Sequence, residues 1–472
     1  MDTTETAVVT VSSGLLRGSI RDGVVRHLGI PYAQPPFGEL RFAPPQPVEP
    51  WEGDRDATAF GPTAPQRPYP PATAELLSSV DIPGEDILTA NVWAPQNAVD
   101  APVVVWIHGG ALERGTAALV GYDGSGFARA GVVFVSLNYR LGAEGFSVFA
   151  DGPVNLGLQD VAAGLAWVHR EIAAFGGSPD RITLMGESAG GALVAALLAR
   201  PDARALVRGG IIQSGPLEAV SRSRAGRVTD ALARVLGIRP TLAQFREKSP
   251  AALLQARETQ AGGASPLAGT PGFTLAVDPD SLPASPHEAL VDVEVPLLIG
   301  SNTDEYRLWL APAALAAISP LKAAIARLVM RIPGRAMRAV RREFPDAGAG
   351  EVLGQLVTDR LLRAPLTRLA AARTAPTYVY EFAWRSPVRD LRAAHAVEIA
   401  FAFGDVANPD AVALSGADAP ASLAAEMHEA WLSFIRDGDP GWEPYGADRW
   451  TRVFDATSQT VRQRRADVVD AV

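Results

Sequence analysis

The sequence of 472 residues contains no cysteine. This absence excludes disulfide bridges, thiolate metal sites and a cysteine nucleophile, and it is typical of proteins from a reducing compartment. If the chain carries out nucleophilic chemistry, another side chain must supply the attacking atom.

The sequence is also short of basic charge and of long apolar runs. Its net charge is −9 and no basic block suggests a polyanion, so nucleic acid is not expected as a partner. No stretch approaches the roughly 18 consecutive apolar residues of a membrane span. The first residues lack the basic-then-apolar layout of a signal peptide. We therefore expect no membrane span and a cytoplasmic location.

Strand and helix patterns alternate along the chain. Val103–Ile107 and Val132–Leu137 are continuous apolar runs, typical of strands that are covered on both faces. Gly157–Phe175 has helical periodicity. Further strand-like runs follow at Gly209–Gly215, Val295–Asn302 and Thr377–Phe382. This order predicts an α/β fold with a large, mostly parallel central sheet flanked by helices.

Two long stretches separate the later predicted strands. No flexible linker bounds them, so we expect one domain over residues 1–472 with insertions at about 216–294 and 310–373. Within the second stretch, Lys322–Phe344 is basic and amphipathic. A contact with a membrane or a partner is one interpretation. We favour a pair of packed cover helices with a solvated basic face, interrupted at Pro333 and Gly334.

The most informative stretch is RITLMGESAGGALVAALLA, residues Arg181–Ala199. A β-branched run meets an alanine- and leucine-rich helix former at Ser188, with Gly186 and Gly190 two residues away on either side. A nucleophile at a tight strand–turn–helix bend needs small neighbours, because larger side chains would collide there. The free N–H groups of the following helix favour negative charge at the bend.

A serine nucleophile needs a base, and three histidines follow Ser188 in the chain. His287 follows a proline and resembles a helix start, and His428 is predicted on the surface of a helix. His395 precedes an apolar run and is the best candidate for the base.

The base in turn needs an acid, and the oxyanion needs donors. Asp304 and Glu305 follow a predicted strand, where α/β sites are built, and spacing alone allows either. Upstream, His108 is followed by small residues directly after a buried strand. Backbone N–H groups of such a loop can approach an oxyanion, and His108 is expected to brace the loop.

These motifs resemble, in order and spacing, the type B carboxylesterase family, the cholinesterase-like branch of the α/β-hydrolases. The resemblance covers nearly the whole chain and implies the α/β-hydrolase fold, with helical insertions over an active-site gorge. The matching motifs are GIPYAQPPFGELRF, RDATAFGP, EDILTANVW, WIHGGA, NYRLGAEGF, NLGLQDVAAGLAWVHREIAAFGGSPDRITLMGESAGG, QSG, SNTDE and HAVEIAFAFG.

The resemblance also implies roles for individual residues. The triad would consist of Ser188, Glu305 and His395, which resolves the acid in favour of the glutamate. The oxyanion donors would be the backbone N–H groups of Gly110, Ala111 and Ala189, with alanine at 111 where many members have glycine.

Residues around the triad follow from the same resemblance. Glu187 would place a charge beside the nucleophile, and Ser214 a hydroxyl near the triad. Arg41 and Glu85 would form a buried ion pair.

Some positions depart from the family pattern. Ile87 stands where secreted relatives have a cysteine, which suggests an intracellular bacterial-type member. Leu112 replaces an aromatic residue, and aromatic residues make up only 7% of the chain. We therefore do not expect a quaternary ammonium substrate.

The resemblance implies hydrolysis of a small-molecule carboxylic ester by water through an acyl-enzyme, without a metal or cofactor, by a monomer or small homo-oligomer. Activity should rise with pH near about 6.5–7, because the base must be neutral. Carbamate, amide or thioester cleavage is an alternative that the triad does not distinguish. A non-catalytic binding module is disfavoured by the intact Ser188, Glu305 and His395.

Overall fold

The computed structural model describes residues 5–262 and 272–472. Its strands are β1 (Glu5–Val11), β2 (Gly14–Arg21), β3 (Val24–Pro31), β4 (Asp54–Asp56), β5 (Thr89–Pro95), β6 (Ala101–Ile107), β7 (Val133–Leu137), β8 (Gly177–Glu187), β9 (Gly209–Gln213), β10 (Val220–Ser221), β11 (Ala276–Val277), β12 (Leu297–Asn302), β13 (Thr377–Phe382), β14 (Trp450–Phe454) and β15 (Gln459–Arg462).

The α-helices of the described residues lie between and after these strands. They are α1 (Pro71–Ala74), α2 (Ser125–Arg129), α3 (Gly142–Phe146), α4 (Leu156–Glu171), α5 (Ala189–Ala199), α6 (Pro201–Arg204), α7 (Arg222–Ala225), α8 (Arg227–Leu236), α9 (Leu242–Arg246), α10 (Pro250–Ala261), α11 (Pro286–Ala289), α12 (Pro312–Ala316), α13 (Pro320–Val329), α14 (Gly334–Glu343), α15 (Ala349–Thr358), α16 (Ala364–Ala372), α17 (Ile399–Ala402), α18 (Pro409–Ser415), α19 (Ala421–Asp437) and α20 (Ala466–Val469).

One large sheet forms the centre of the fold. Its strand order is β1-β2-β3-β5-β7-β6-β8-β9-β12-β13-β14-β15, and β4 pairs with β2. The neighbours from β7 to β14 pair in parallel, whereas antiparallel pairs lie toward both edges. The parallel strands are buried throughout most of their length because helices cover the sheet. The predicted mostly parallel α/β sheet, and with it the fold class, is confirmed.

The helices next to the sheet follow their apolar patterns. Val161, Leu165 and Val168 of α4 are fully buried. All eleven residues of α5 are buried, because this helix packs against β8 and β9 and is also contacted by α4. In the described part of the chain, no helix combines the length and apolar character that crossing a bilayer requires.

The two predicted insertions correspond to stretches between neighbouring strands of the sheet. Residues 216–294 lie between β9 and β12, although 263–271 fall outside the described residues, and residues 310–373 lie between β12 and β13. As predicted, the basic segment is interrupted at Pro333: α13 ends at Val329 and α14 begins at Gly334. That the chain is one domain with these insertions stays a prediction.

The predicted pair of Arg41 with Glu85 is wrong. Arg41 instead donates to the carboxylate of Glu144 in α3, with an Nη2–Oε1 distance of 2.5 Å, and both side chains are buried. Glu85 is exposed. The guanidinium also donates to the backbone carbonyl of Arg246 at 3.0 Å, so its buried donors are satisfied without Glu85.

A second buried ion pair fixes α4 to the segment after β7. Arg140 donates to both carboxylate oxygens of Asp160, at 2.7 and 2.6 Å, and the two side chains are 1% and 0% exposed. Such a bidentate pair is costly to break, since either partner alone would be a buried, uncompensated charge.

We expect Asp160→Asn to lower the free energy of unfolding by about 3–5 kcal/mol, because it leaves Arg140 buried without a counter-charge. Urea unfolding measures this change. Asp54→Asn is the matched control, since Asp54 pairs with Arg17 at an exposed site and should change stability by less than about 1 kcal/mol. Equal effects of the two substitutions would contradict the assignment.

Candidate active site

Ser188 lies at the bend between β8 and α5. Its backbone has φ 56° and ψ −121°, a strained conformation for a residue with a side chain. A Cβ atom on Gly190 would lie 1.9 Å from the carbonyl oxygen of Ile107, and one on Gly186 would lie 2.6 Å from the backbone of Gly190. The two glycines are therefore required by close backbone packing, as predicted.

The loop after β6 packs beside this bend. A Cβ on Gly109 would lie 3.2 Å from the Cβ of Ser188. Gly110 and Ala111 both have positive φ, 113° and 57°. Within residues 5–262 and 272–472, the backbone N–H groups of Gly110, Ala111 and Ala189 donate no hydrogen bond. They are free to donate to a ligand oxygen.

His108 braces this loop, as expected. Its side chain is buried, and its Nδ1 lies 2.8 Å from the carbonyl oxygen of Gly109. Its ring stacks on Tyr139 with 4.5 Å between centroids, and the Tyr139 hydroxyl donates to the His108 carbonyl at 2.8 Å. Burial lowers the pKa of His108 to about 4, so the ring is neutral at physiological pH.

Glu305 and His395 are joined directly. Nδ1 of His395 lies 2.5 Å from Oε2 of Glu305, and both side chains are buried. Because a carboxylate only accepts hydrogen bonds, Nδ1 carries the proton. The other oxygen, Oε1, accepts from the Ser214 hydroxyl at 2.6 Å and from the Asn302 backbone N–H at 2.7 Å. The carboxylate is thus held by three donors.

The other imidazole nitrogen faces Glu187. Nε2 of His395 lies 3.0 Å from Oε1 of Glu187, and neither atom has a hydrogen-bond partner among the described residues. No hydrogen bond joins the Ser188 hydroxyl to His395 in that part of the chain either. The structure therefore brings His395 to the residue that precedes Ser188, and Ser188 itself is partly exposed.

The buried carboxylates set the charge of the imidazole. Burial lowers the pKa of His395, but the negative charges of Glu187 and Glu305 outweigh it and raise the pKa to about 9. Burial raises the pKa of Glu187 to about 8 and that of Glu398 to about 7. The expected titration near 6.5–7 is that of an isolated imidazole, and the two carboxylates shift it upward.

Three residues near the triad were not singled out from the sequence. Asn302 donates through Nδ2 to the Ala394 carbonyl at 2.7 Å and to Glu398 at 2.5 Å. The ring of Trp309, 47% exposed, lies 4.7 Å from that of His395. Asn302 lies in the SNTDE motif with Glu305, and Glu398 lies in the HAVEIAFAFG motif with His395. Their closeness in sequence to these two residues could have indicated that they belong to the site.

The side chains of the remaining candidates contact other residues. His287 is in the short helix α11, as its proline suggested, and hydrogen-bonds Ser285. Asp304 accepts from Gln355 at 2.9 Å. The prediction that His428 is a surface residue is wrong, because its ring is half-buried against Phe127.

The family model for the carboxylesterase family matches residues 5–468. The chain belongs to the carboxylesterase family. It is 35% identical to the para-nitrobenzyl esterase of Bacillus subtilis (strain 168), over 96% of this chain and 94% of that protein. It is 34% identical to the phenmedipham hydrolase of Pseudarthrobacter oxydans, over 93% of both chains.

Solved structures agree with the sequence relatives. A carboxylesterase of Geobacillus stearothermophilus superposes with a TM-score of 0.87 at 35% identity, over 98% of this chain and 99% of that one. A structure of a PNB esterase also reaches 0.87, at 32% identity and the same coverage. Membership of the carboxylesterase family makes this chain a carboxylic ester hydrolase of the α/β-hydrolase fold.

We expect the imidazole of His395 to titrate well above the ordinary histidine value, and Glu187→Gln to lower its pKa because the substitution removes a negative charge beside Nε2. Histidine-labelled NMR spectra recorded across pH measure both values. His108 is the internal control and should stay neutral in both proteins. A His395 pKa that is unchanged by the substitution would contradict the assigned contact.

Proposed function

We propose that Ser188, His395 and Glu305 hydrolyse carboxylic esters through an acyl-enzyme. The observation that carries this proposal is the buried 2.5 Å hydrogen bond between Glu305 and Nδ1 of His395. It leaves Nε2 available for proton transfer, beside Glu187, the residue that precedes Ser188.

In the first half-reaction the Ser188 oxygen attacks the ester carbonyl carbon. Its proton passes to Nε2 of neutral His395, which must turn from Glu187 toward the serine. Hydrogen bonds of this kind often tighten only when substrate is bound. Glu305 keeps the proton on Nδ1 and stabilises the imidazolium that forms.

The negative charge that develops on the carbonyl oxygen requires donors. The free N–H groups of Gly110, Ala111 and Ala189 belong to the two segments that flank Ser188, and we assign the oxyanion hole to them. Ala189 is the first residue of α5, so the positive end of the helix dipole adds to its effect. Each such donor contributes about 3–4 kcal/mol to transition-state stabilisation.

The tetrahedral intermediate then collapses. Imidazolium Nε2–H protonates the leaving alkoxide, the C–O bond to the alcohol breaks, and the acyl group stays on Ser188. Water repeats the sequence with His395 as base, which releases the carboxylic acid and restores the serine. Ser214 supports both halves by holding Oε1 of Glu305 at 2.6 Å.

Glu187 affects the protonation of His395. Its carboxylate lies 3.0 Å from Nε2 and stabilises the protonated ring. It therefore favours the imidazolium of each tetrahedral intermediate, at the expense of the neutral base in the resting enzyme.

The relatives suggest where to begin with substrates. The para-nitrobenzyl esterase named above makes para-nitrobenzyl esters the first small-molecule esters to test. We further propose a cytoplasmic, bacterial enzyme that works as a monomer or small homo-oligomer without nucleic acid. The lack of cysteine supports the cytoplasmic location, and the net charge of −9 supports a function without nucleic acid.

The assignment of the acid is tested by a pair of neighbouring substitutions. Glu305→Gln should lower kcat on a para-nitrobenzyl ester by about two to four orders of magnitude, because the imidazole loses the carboxylate that orients and stabilises it. Asp304→Asn is the matched control and should keep kcat close to that of the unsubstituted enzyme. Ser188→Ala should abolish turnover. Loss of activity in Asp304→Asn alone would move the acid to Asp304.

A further inference from the structure

A basic and apolar surface lies on α13 (Pro320–Val329) and α14 (Gly334–Glu343). Residues 320–343 contain seven basic residues and one acidic residue, a net charge of +6, whereas the rest of the chain has a net charge of −15. We call the exposed side of α13 and α14 the basic hairpin.

The first helix of the hairpin has its large apolar side chains outside. The exposed fractions are 71% for Leu321, 53% for Ile325, 63% for Leu328 and 78% for Val329. At 3.6 residues per turn these four fall within an arc of about 100°. The buried residue of this helix, Ala323, is small and lies on the opposite side. This arrangement is the reverse of an ordinary surface helix.

The second helix presents arginines to the outside. Arg335 and Arg338 are exposed, as is Arg331 in the turn between the helices. None of these three forms a salt bridge within the described residues, although Arg342 pairs with Asp467. Three basic side chains are therefore available to bind an anionic surface.

Both helices pack on the same support. α13 and α14 each contact α15 and enclose with it a cavity of about 200 Å³. Ala323 lines this cavity, so the exposed apolar side of α13, which is opposite Ala323, faces away from α15. α15 also contacts the turn at Glu305–Leu308, so the hairpin is connected through one helix to the segment that holds the candidate acid.

We propose that the basic hairpin docks the protein on an anionic lipid surface. Exposed apolar residues flanked by arginine and lysine are the composition of a helix that lies in a membrane interface. The leucines, isoleucine and valine would enter the headgroup region, and the arginines would bind lipid phosphates. This inference concerns the surface alone and does not depend on the catalytic assignment.

Two other occupants fit the surface less well. A symmetric pair of copies would bring the same positive patches together, since such an interface places one surface against itself. A nucleic acid would match the arginines but would leave four large apolar side chains against a polyanion. A lipid surface satisfies both the charge and the apolar side chains.

The test is sedimentation of the full chain with vesicles. Binding to vesicles that contain phosphatidylglycerol should be tighter than binding to pure phosphatidylcholine by about tenfold or more, and should weaken at high salt. Binding should weaken by a similar factor in a double variant that combines Leu328→Ser and Val329→Ser. It should also weaken in a triple variant that combines Arg331→Gln, Arg335→Gln and Arg338→Gln.

Matched controls change equally exposed residues elsewhere. Val8→Ser with Val99→Ser replaces exposed valines, at 62% and 87%, and Arg227→Gln with Arg234→Gln and Arg239→Gln replaces exposed arginines. Neither control set should change vesicle binding. Hydrolysis of a water-soluble ester without vesicles should be unchanged in every variant, which confirms that each is folded.

Three results would overturn the proposal. The first is that the protein binds anionic vesicles no more tightly than vesicles of pure phosphatidylcholine. Another is a dimer in analytical ultracentrifugation that the Leu328 and Val329 substitutions abolish, without any vesicle binding. The third is binding to duplex DNA that matches vesicle binding and depends on the arginines but not on the apolar residues.

Discussion

The carboxylate of Glu305 is the group on which the candidate site depends. A buried charge is tolerated only when donors surround it, and this carboxylate receives donors from three segments: Ser214 after β9, Asn302 at the end of β12, and His395 before α17. These segments meet because parallel strands bring their carboxyl ends to one edge of the sheet. The position of the imidazole is therefore a consequence of the sheet order.

Buried carboxylates also determine the charge of the rest of the site. Glu187 and Glu398 are buried near His395, so the imidazole lies in a field of negative charge that raises its pKa. Such a field stabilises the protonated ring, which is the form that the proposed attack by Ser188 would produce. The strained backbone of Ser188 and the close packing of Gly190 against Ile107 hold the candidate nucleophile at the bend beside this charge.

Local sequence patterns predicted those features that depend on neighbouring residues. The buried apolar runs predicted the strands β6 and β7, and Pro333 predicted the break between α13 and α14. The glycines around Ser188 predicted the bend between β8 and α5. Contacts between segments that are distant in the chain could not be predicted from such local patterns. The partner of Arg41 is Glu144, and the partner of His395 Nε2 is Glu187, because side-chain directions depend on how whole elements pack. Likewise, the outward apolar face of α13 is a property of its packing on α15, which periodicity alone does not reveal.

We expect an electrophile bound to Ser188 to lie under Nε2 of His395 and against the N–H groups of Gly110, Ala111 and Ala189. A crystal structure of the adduct with a fluorophosphonate measures this directly. We expect a single covalent bond, at Ser188, with the phosphoryl oxygen within hydrogen-bond distance of the three N–H groups and Nε2 turned from Glu187 toward the serine oxygen. An adduct on another serine, or a phosphoryl oxygen directed away from all three N–H groups, would contradict this expectation.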